Sequence, residues 1–430
     1  MILSLKQPYD VATMRIPAKT KTISLALGLF FSSSVWAQAL QLQHQLALAN
    51  DASLQAKLHS HQATKEQEKI ANMAFIPVLS ANANKTYDIE QGAHSDSYSA
   101  TLALNLNLEA LYAIDSARAS IQQSSLNLQA DKQQLRADII SAYFNVVKHQ
   151  AQLDSINAQI KSANQSLATI QKQRQLGLAT SLQASKVDNN VQELQLSLLK
   201  AQQALQQARN TLTLSTNETI NDDFPGISLA TSLPVLDSLE LDFWWDIAQQ
   251  HSLSLLAAKA GVQKSYHDYQ RTDAQKYPTG SISAKHDSAL SDMIMFSITG
   301  KLYDAGLNQS QTQIARLNWL ANQQALTANQ RTTKQALSNV LYNLRNNKQQ
   351  IQLQENLLAT AITSLAATHK EYELGVTDLV AVLEAEQNVA TNEVDLIQAR
   401  YDQIIYQSDL KRLTGRLKQG DLQQYDALLN

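Results

Sequence analysis

Cysteine is absent from this 430-residue chain. That excludes disulfides and thiol chemistry, and with them a lipid-modified N-terminal cysteine, so no lipid anchor is expected. Proline is scarce: past the first forty residues only Pro77, Pro225, Pro234 and Pro278 occur, so helices of unusual length are permitted between them. Charge is sparse at 17%, and the net charge of −3 leaves no basic excess to hold nucleic acid. Beyond the N-terminal leader no apolar run approaches the roughly 18 residues of a membrane-spanning helix, which leaves a closed β-barrel as the only way across a bilayer. Nothing has the spacing of a catalytic triad, phosphate loop or zinc motif, so no enzyme, cofactor or metal is expected. His59-x-His61 should face different sides of a helix and be solvated.

The leader resembles a secretory signal. Arg15, Lys19 and Lys21 precede an apolar stretch, Ile23 to Phe31, and Val35-Trp36-Ala37 supplies a cleavage site. Residues 1–37 are read as the signal peptide, with cleavage after Ala39 the alternative and Met14 a candidate initiator. The mature chain repeats itself: Leu176-Gly177-Leu178-Ala-Thr180 returns as Leu374-Gly375-Val376-Thr-Asp378, a shift of 375 − 177 = 198. The internal repeat gives the division 38–220, linker 221–238, 239–415 and a C-terminal tail 416–430. The loop-like stretch from Asn221 to Leu236, with Pro225 and Pro234, separates the repeats.

Long stretches carry a 4-then-3 spacing of apolar residues, the pattern of a coiled-coil seam. Leu135, Ile139, Ala142, Val146, His149, Leu153, Ile156, Ile160, Ala163, Leu167 and Ile170 precede the first glycine. Val187, Val191, Leu194, Leu198, Ala201, Leu205, Ala208 and Leu212 follow it. The second repeat keeps both seams with polar insertions such as Asn347, at the position of His149, and Gln354. A helix from about Tyr112 to Gln175 would run roughly 95 Å. Gly177 and Gly375 suit the left-handed residue that ends such a helix. Asp378 suits the N-cap of the returning one.

Ahead of each long helix lies a strand-like segment. Leu102, Leu104, Leu106 and Leu108 alternate with Thr101, Ala103, Asn105 and Asn107, and Val78–Ile89 is a hairpin partner across Gly92. In the second repeat Thr279–His286 pairs with Met293–Tyr303, with Ile294, Phe296, Ile298 and Leu302 on one face. The hairpins are placed at about 78–108 and 279–303. Their length fits tilted membrane-spanning strands, and the alternation alone equally fits small soluble hairpins with one buried face. Four strands cannot close a barrel, so the membrane reading requires an oligomer. Tyr98, Tyr112 and Tyr303, near strand ends, are candidates for an aromatic girdle or plain surface tyrosines. Phe243-Trp244-Trp245 is read as packing just ahead of the short helix that opens the second repeat.

These features resemble the TolC-like outer-membrane efflux proteins. The strongest segment is Gly375-Val-Thr-Asp-Leu-Val-Ala-Val-Leu-Glu-Ala385, supported by Ala142-Tyr-Phe-Asn-Val-Val147, Leu302-Tyr-Asp-Ala-Gly306, Ile397-Gln-Ala-Arg-Tyr-Asp402 and Leu410-Lys-Arg-Leu-Thr-Gly415. The resemblance implies a mainly α fold with a β part. A homotrimer would pool four strands per protomer into a 12-stranded barrel in outer-membrane lipid, above a periplasmic helical tube. It implies a periplasmic adaptor (membrane fusion) protein and an inner-membrane transporter of RND, ABC or MFS type as partners. It implies an efflux duct for small toxic compounds, with type I protein secretion as the alternative; a non-channel exported coiled-coil scaffold or adhesin is the rival of another class. By the same resemblance Leu176, Gly177, Leu178, Leu374, Gly375 and Val376 would meet the adaptor. The pore constriction would lie at Glu384, with Ala381 in place of the family's first acid and Asp378 a candidate to take over part of its charge. Tyr372 matches a tyrosine that tethers the closed tip, but the family's basic partner is Thr377 here, so a packed seam residue is the competing reading.

Overall fold

The computed structural model describes residues 39–87, 94–218, 224, 226–227, 231–288, 292–301 and 303–429. The signal peptide with its Met14 alternative, Ile89 and Gly92 in the first hairpin, Asn221 and Pro225 in the linker, and Leu302 lie outside the described residues. Each repeat opens with two helices rather than one: α1 (Ala39–Asn50) and α2 (Ala52–Asn72), then α5 (Leu241–His251) and α6 (Leu253–Ala274). Each continues through two strands, β1 (Val78–Tyr87) with β2 (His94–Leu106), and β3 (Thr279–Asp287) with β4 (Met293–Thr299). Each closes with a long hairpin, α3 (Leu108–Gln175) with α4 (Ser181–Thr216), and α7 (Leu307–Glu373) with α8 (Leu379–Leu413). The 68 residues of α3 span about 100 Å.

Local chemistry sets these boundaries. The Asn107 side chain accepts from the Ala110 amide at 2.7 Å and starts α3 there. Leu108 therefore belongs to the helix, not to the strand alternation, and β2 ends at Leu106. Thr180 and Gln183 form a reciprocal capping box at the start of α4. Asp378 caps α8, accepting from the Ala381 amide at 3.1 Å. Gly415 has φ +70° and a Cβ there would stand 1.9 Å from the His251 carbonyl oxygen, so no other residue fits at the end of the Leu410–Gly415 segment.

The seams pack as their spacing predicts. Ile139, Val146, Ala163, Ile170, Val187, Ala201 and Leu212 are buried in the first hairpin, and Leu337, Leu344, Asn347, Leu396, Ala399 and Leu410 in the second. The largest core forms where the Ala142–Val147 segment meets the linker and the chain end. Tyr143 lies 4.6 Å from the Phe224 ring, and Phe144 5.6 Å from Tyr401 and 6.4 Å from Tyr425. The tail is structured: α9 (Gln419–Ala427) buries Leu422 and Tyr425 in this core. Its Asp426 carboxylate accepts from the Leu40 and Gln41 amides at 2.9 and 3.1 Å, clasping the start of α1. Phe243-Trp244-Trp245 lies inside α5 rather than ahead of it, and Trp244 is buried against Leu337, Leu341, Leu344 and Leu410. His61 is likewise buried, its Nδ1 2.9 Å from the Ser124 hydroxyl, because α2 packs along α3; only His59 is exposed as expected.

Candidate functional site: sheet face and helical tips

The strands form one antiparallel sheet in the order β1-β2-β3-β4. Its register puts Leu79 opposite Leu102, Leu102 opposite Ala284 and Ala284 opposite Ile294; one step on, Leu104 meets Ile282 and Ile282 meets Phe296. Side chains alternate between faces, so all these apolar residues share one face. The other carries Ser80, Asn82, Thr101, Asn105, Ser281, Ser283, Ser297 and Thr299, with the Ser281 and Ser297 hydroxyls 2.6 Å apart. Burial is the reverse of a soluble hairpin. On β3 the polar Ser281, Ser283 and Lys285 are half-buried, while Ile282 and Ala284 are exposed. Ile294, Phe296 and Ile298 of β4 are 70, 74 and 84% exposed. An uncovered apolar face backed by a hydroxyl-rich one is what a sheet between lipid and an aqueous bore requires. Tyr98, on the apolar face of β2, is exposed, as are Tyr87 at the end of β1 and Tyr303 past β4; Tyr112 is half-buried on α3.

At the far ends of the hairpins the two tips are built alike. Gly177 and Gly375 have φ +74° and +71°. The Gly177 amide donates to the Arg174 carbonyl at 3.0 Å and the Leu178 amide to that of Gln173 at 2.8 Å. The Gly375 and Val376 amides do the same toward Tyr372 and Glu371, at 3.0 and 2.8 Å. Both are Schellman turns, in which the residue after the glycine commonly packs on an apolar residue one turn back. Here the residues one turn back are Lys172, Gln173, Lys370 and Glu371, so that contact is missing. Leu176, Leu178, Leu374 and Val376 consequently stand exposed as two apolar knuckles.

Just above, the two tips are tied together. Gln183 donates through Nε2 to Asp378 at 3.3 Å, and Gln173 to the Tyr372 hydroxyl at 3.4 Å. Ser162 of α3 donates to Glu386 of α8 at 2.5 Å, with His369 Nε2 3.9 Å from the other oxygen of that carboxylate. Tyr372 also packs against the cluster of Ile170, Ala184, Val187, Leu379 and Leu383. Ala381 is half-buried; Glu384 is exposed and, among the described residues, has no hydrogen-bond or ionic partner. Asp378 is thus occupied by its cap and by Gln183, whereas the Glu384 carboxylate stands exposed. Reasoning from sequence missed Gln173, Gln183 and Glu386. The Thr180-x-x-Gln183 capping signature was available, but the contacts across repeats leave no local signal. Among the described residues no group of three or more His, Asp or Glu is placed to hold a metal ion, and no helix is long and apolar enough to cross a membrane.

A lipid-facing sheet carried on two long helical hairpins defines the subunit of an outer-membrane channel. The chain matches the family model described as outer membrane efflux protein over residues 44–218 and 244–416, and it belongs to that family. It is 24% identical to the outer membrane protein TolC of Vibrio cholerae over 439 residues, covering 94% of this chain and 97% of that one. It is 21% identical to the alkaline protease secretion protein AprF of Pseudomonas aeruginosa, covering 93% and 89%. Its fold matches the crystal structure of the outer membrane protein VceC of Vibrio cholerae with a TM-score of 0.75 at 16% identity, over 89% of this chain and 98% of that one. The protein's place is the outer membrane, with a periplasmic part.

Proposed function

We propose that the protein is the passive duct of a tripartite efflux system, carrying small toxic compounds from an inner-membrane pump to the exterior. The observation that carries this reading is the inverted burial of the sheet: its apolar face is the exposed one. β1 and β4 are open edges, and closure takes three copies and twelve strands. The described helices also favour association, since α4 and α7 each leave apolar residues such as Leu196, Leu199, Leu353 and Leu357 exposed along a hairpin whose own seam is filled. With the signal peptide 1–37 removed, the repeats 38–220 and 239–415, the linker 221–238 and the tail 416–430 are the units of this duct.

The apolar knuckles Leu176-Gly177-Leu178 and Leu374-Gly375-Val376 are the docking points for a periplasmic adaptor, which couples the duct to a transporter of RND, ABC or MFS type. In the trimer three Glu384 side chains line the constriction and favour cations. Ala381 takes the place of a second acidic ring, and Asp378 serves the turn. Tyr372, held by Gln173, ties the closed tips. Secretion of proteins is a second reading, favoured by the similarity to AprF across nearly the whole chain.

Single-channel recording from the mature protein in planar bilayers tests the reading. Discrete, long-lived current steps with cation preference are expected, and Glu384→Gln should weaken that preference. A protein found only in the soluble periplasmic fraction, forming no pores, would replace the duct by a coiled-coil scaffold.

A further inference from the structure

Where the sheet meets the helices, a cavity of about 540 Å³ opens between the end of α6, the β4–α7 connection and the first turns of α7. Its lining includes Lys276, Lys301, Arg316, Asp273 and Asp304. Formal charge is +3 − 2 = +1, but the two acids are already engaged. Asp273 pairs with Lys276 at 2.8 Å. Asp304 accepts from the Gly306 and Asn308 amides at 3.1 and 2.9 Å, holding the start of α7. Lys301 and Arg316 have no carboxylate within ion-pair distance among the described residues. Lys301 and Arg316 therefore share one recess without an ion-pair partner, and its net charge is positive.

The recess lies at the edge of the apolar band. Lys276 stands three residues before β3 and Lys301 two after β4. Arg316 is about 14 Å down α7, but helical side chains lean toward the N-terminus, which here is toward the sheet. Tyr303 is exposed at its rim, and Tyr269 stacks on Trp319 at 6.1 Å beneath it, the aromatic company of a headgroup region. The side is also fixed. Arg316 and Lys334 are eighteen residues, five turns, apart and share one face of α7. Lower on that face Lys334 sits 5.7 Å over the Trp245 ring of α5. In a ring of helices around an open bore α5 lies outside, since inside it would fill the bore. The opposite face of the α6–α7 pair carries Gln311, Asn318 and Asn322, and its one lysine, Lys264, is paired with Asp268 at 2.7 Å, so that side offers no unpaired cation to an anion.

We infer that this recess is a headgroup site for an anionic phospholipid of the periplasmic leaflet. Arg316 and Lys301 take the phosphodiester through charge-assisted hydrogen bonds, and the acyl chains run up the Ile294, Phe296 and Ile298 face. The inference rests on the membrane reading of the sheet. Each outer-membrane trimer would hold three such lipids, one at each β4–α7 connection.

Native mass spectrometry of the detergent-solubilised mature protein, titrated with phosphatidylglycerol, tests it. About one retained lipid per protomer is expected. K301Q/R316Q should lower retention roughly tenfold, whereas K348Q/K370Q, the same charge change lower on α7, should leave it intact. Equal retention by wild type and K301Q/R316Q overturns the site, and so does equal retention of phosphatidylcholine. Displacement of the lipid by inorganic phosphate at similar concentration would make it a soluble-anion site and overturn the lipid assignment. Pore formation in the same preparations separates the outcomes. If the sheet is not a membrane element, wild type and both variants form no pores; if only the recess is misassigned, all form pores and lipid retention alone is unchanged by substitution.

Discussion

The two helical hairpins have matching lengths and matching turns, yet they are held differently. The α3 helix buries residues along its length because α1, α2, α4, α6 and α8 all pack on it, whereas α7 has α5, α6 and α8 and leaves a long apolar flank open. Their seams differ at equivalent positions. Ile156 in the first hairpin becomes Gln354 in the second, where the amide donates to Asp395 at 3.0 Å. His149 becomes Asn347, whose Nδ2 donates to the Ala399 carbonyl at 3.0 Å. A polar seam residue is tolerated where the facing helix supplies a partner, and it then fixes register at some cost in stability. The first hairpin is the anchored member, and the second leaves more of its apolar flank uncovered.

Acid should break this comparison most strongly, and on the anchored side. His44 of α1 is buried, and burial, helped by the nearby Arg136 cation, lowers its pKa to about 4. The unfolded chain binds a proton near pH 6.5 that the folded one refuses. Stability is therefore full above pH 6.5 and falls as pH drops from about 6.5 to about 4, by up to about 3 kcal/mol in all. Asp426 opposes this in part, because burial raises its carboxyl despite the two amides it accepts, so the folded state holds its proton slightly longer. Thermal unfolding between pH 7.5 and 4.5 should show the midpoint falling, with His44→Gln removing most of the slope. Hydrogen exchange should locate the loss in α1 and α3, not in α7.

Exchanging the seam chemistry comes next. Ile156→Gln places an amide where the residue equivalent to Asp395 is Ser197, losing apolar burial and a partner together. We expect about 2–3 kcal/mol of destabilisation, read as faster hydrogen exchange along α3 and α4. The reciprocal Q354I/D395S should be neutral or stabilising, since it removes both partners of a polar pair and leaves neither stranded. A large loss in that double variant would mean the second hairpin needs its polar rungs.

Much of this architecture was legible in the sequence because it is periodic. The strand alternation, the seams and the two tip glycines repeat every two, three-and-a-half and 198 residues. What stayed hidden has no period. Asp426 meets Leu40 across 386 residues, and α9 had no seam to betray it, so the chain end read as a loose tail. Leu108 fits the strand alternation and still starts α3, because a single Asn107 side chain caps the helix there. Trp244 and His61 are buried by neighbours that no local pattern names. At the tips the sequence supplied the glycines, but not the cross-ties through Gln173, Gln183 and Glu386.

The turns should behave as equals, which sharpens the comparison. Around both tip glycines a Cβ would meet nothing within 4 Å, so the cost of Gly177→Ala or Gly375→Ala is conformational only. Each should cost about 1 kcal/mol, similar in the two hairpins and measurable in urea denaturation. A larger penalty at Gly375 would show that the second tip carries tertiary strain that the first does not.

The smallest effect tests the seam position itself. His149 is half-buried, and its pKa lies below the ordinary value. Burial is the main cause and the neighbouring Lys148 a lesser one, against a hydrogen bond that the imidazole donates to Gln152, which raises it. Its contribution is present above pH 6.5 and declines as pH falls below it, so the first hairpin carries an acid-sensitive rung that Asn347 denies to the second. His149→Asn should flatten the residual acid dependence of exchange in α3 and α4 by a fraction of the His44 effect. Asn347→His should confer it on α7 and α8, where the buried Asn347 now bonds Ala399, and there the imidazole would be more enclosed than at position 149. Acid sensitivity that stayed in the first hairpin in both variants would place its origin in the anchoring helices rather than in the seam.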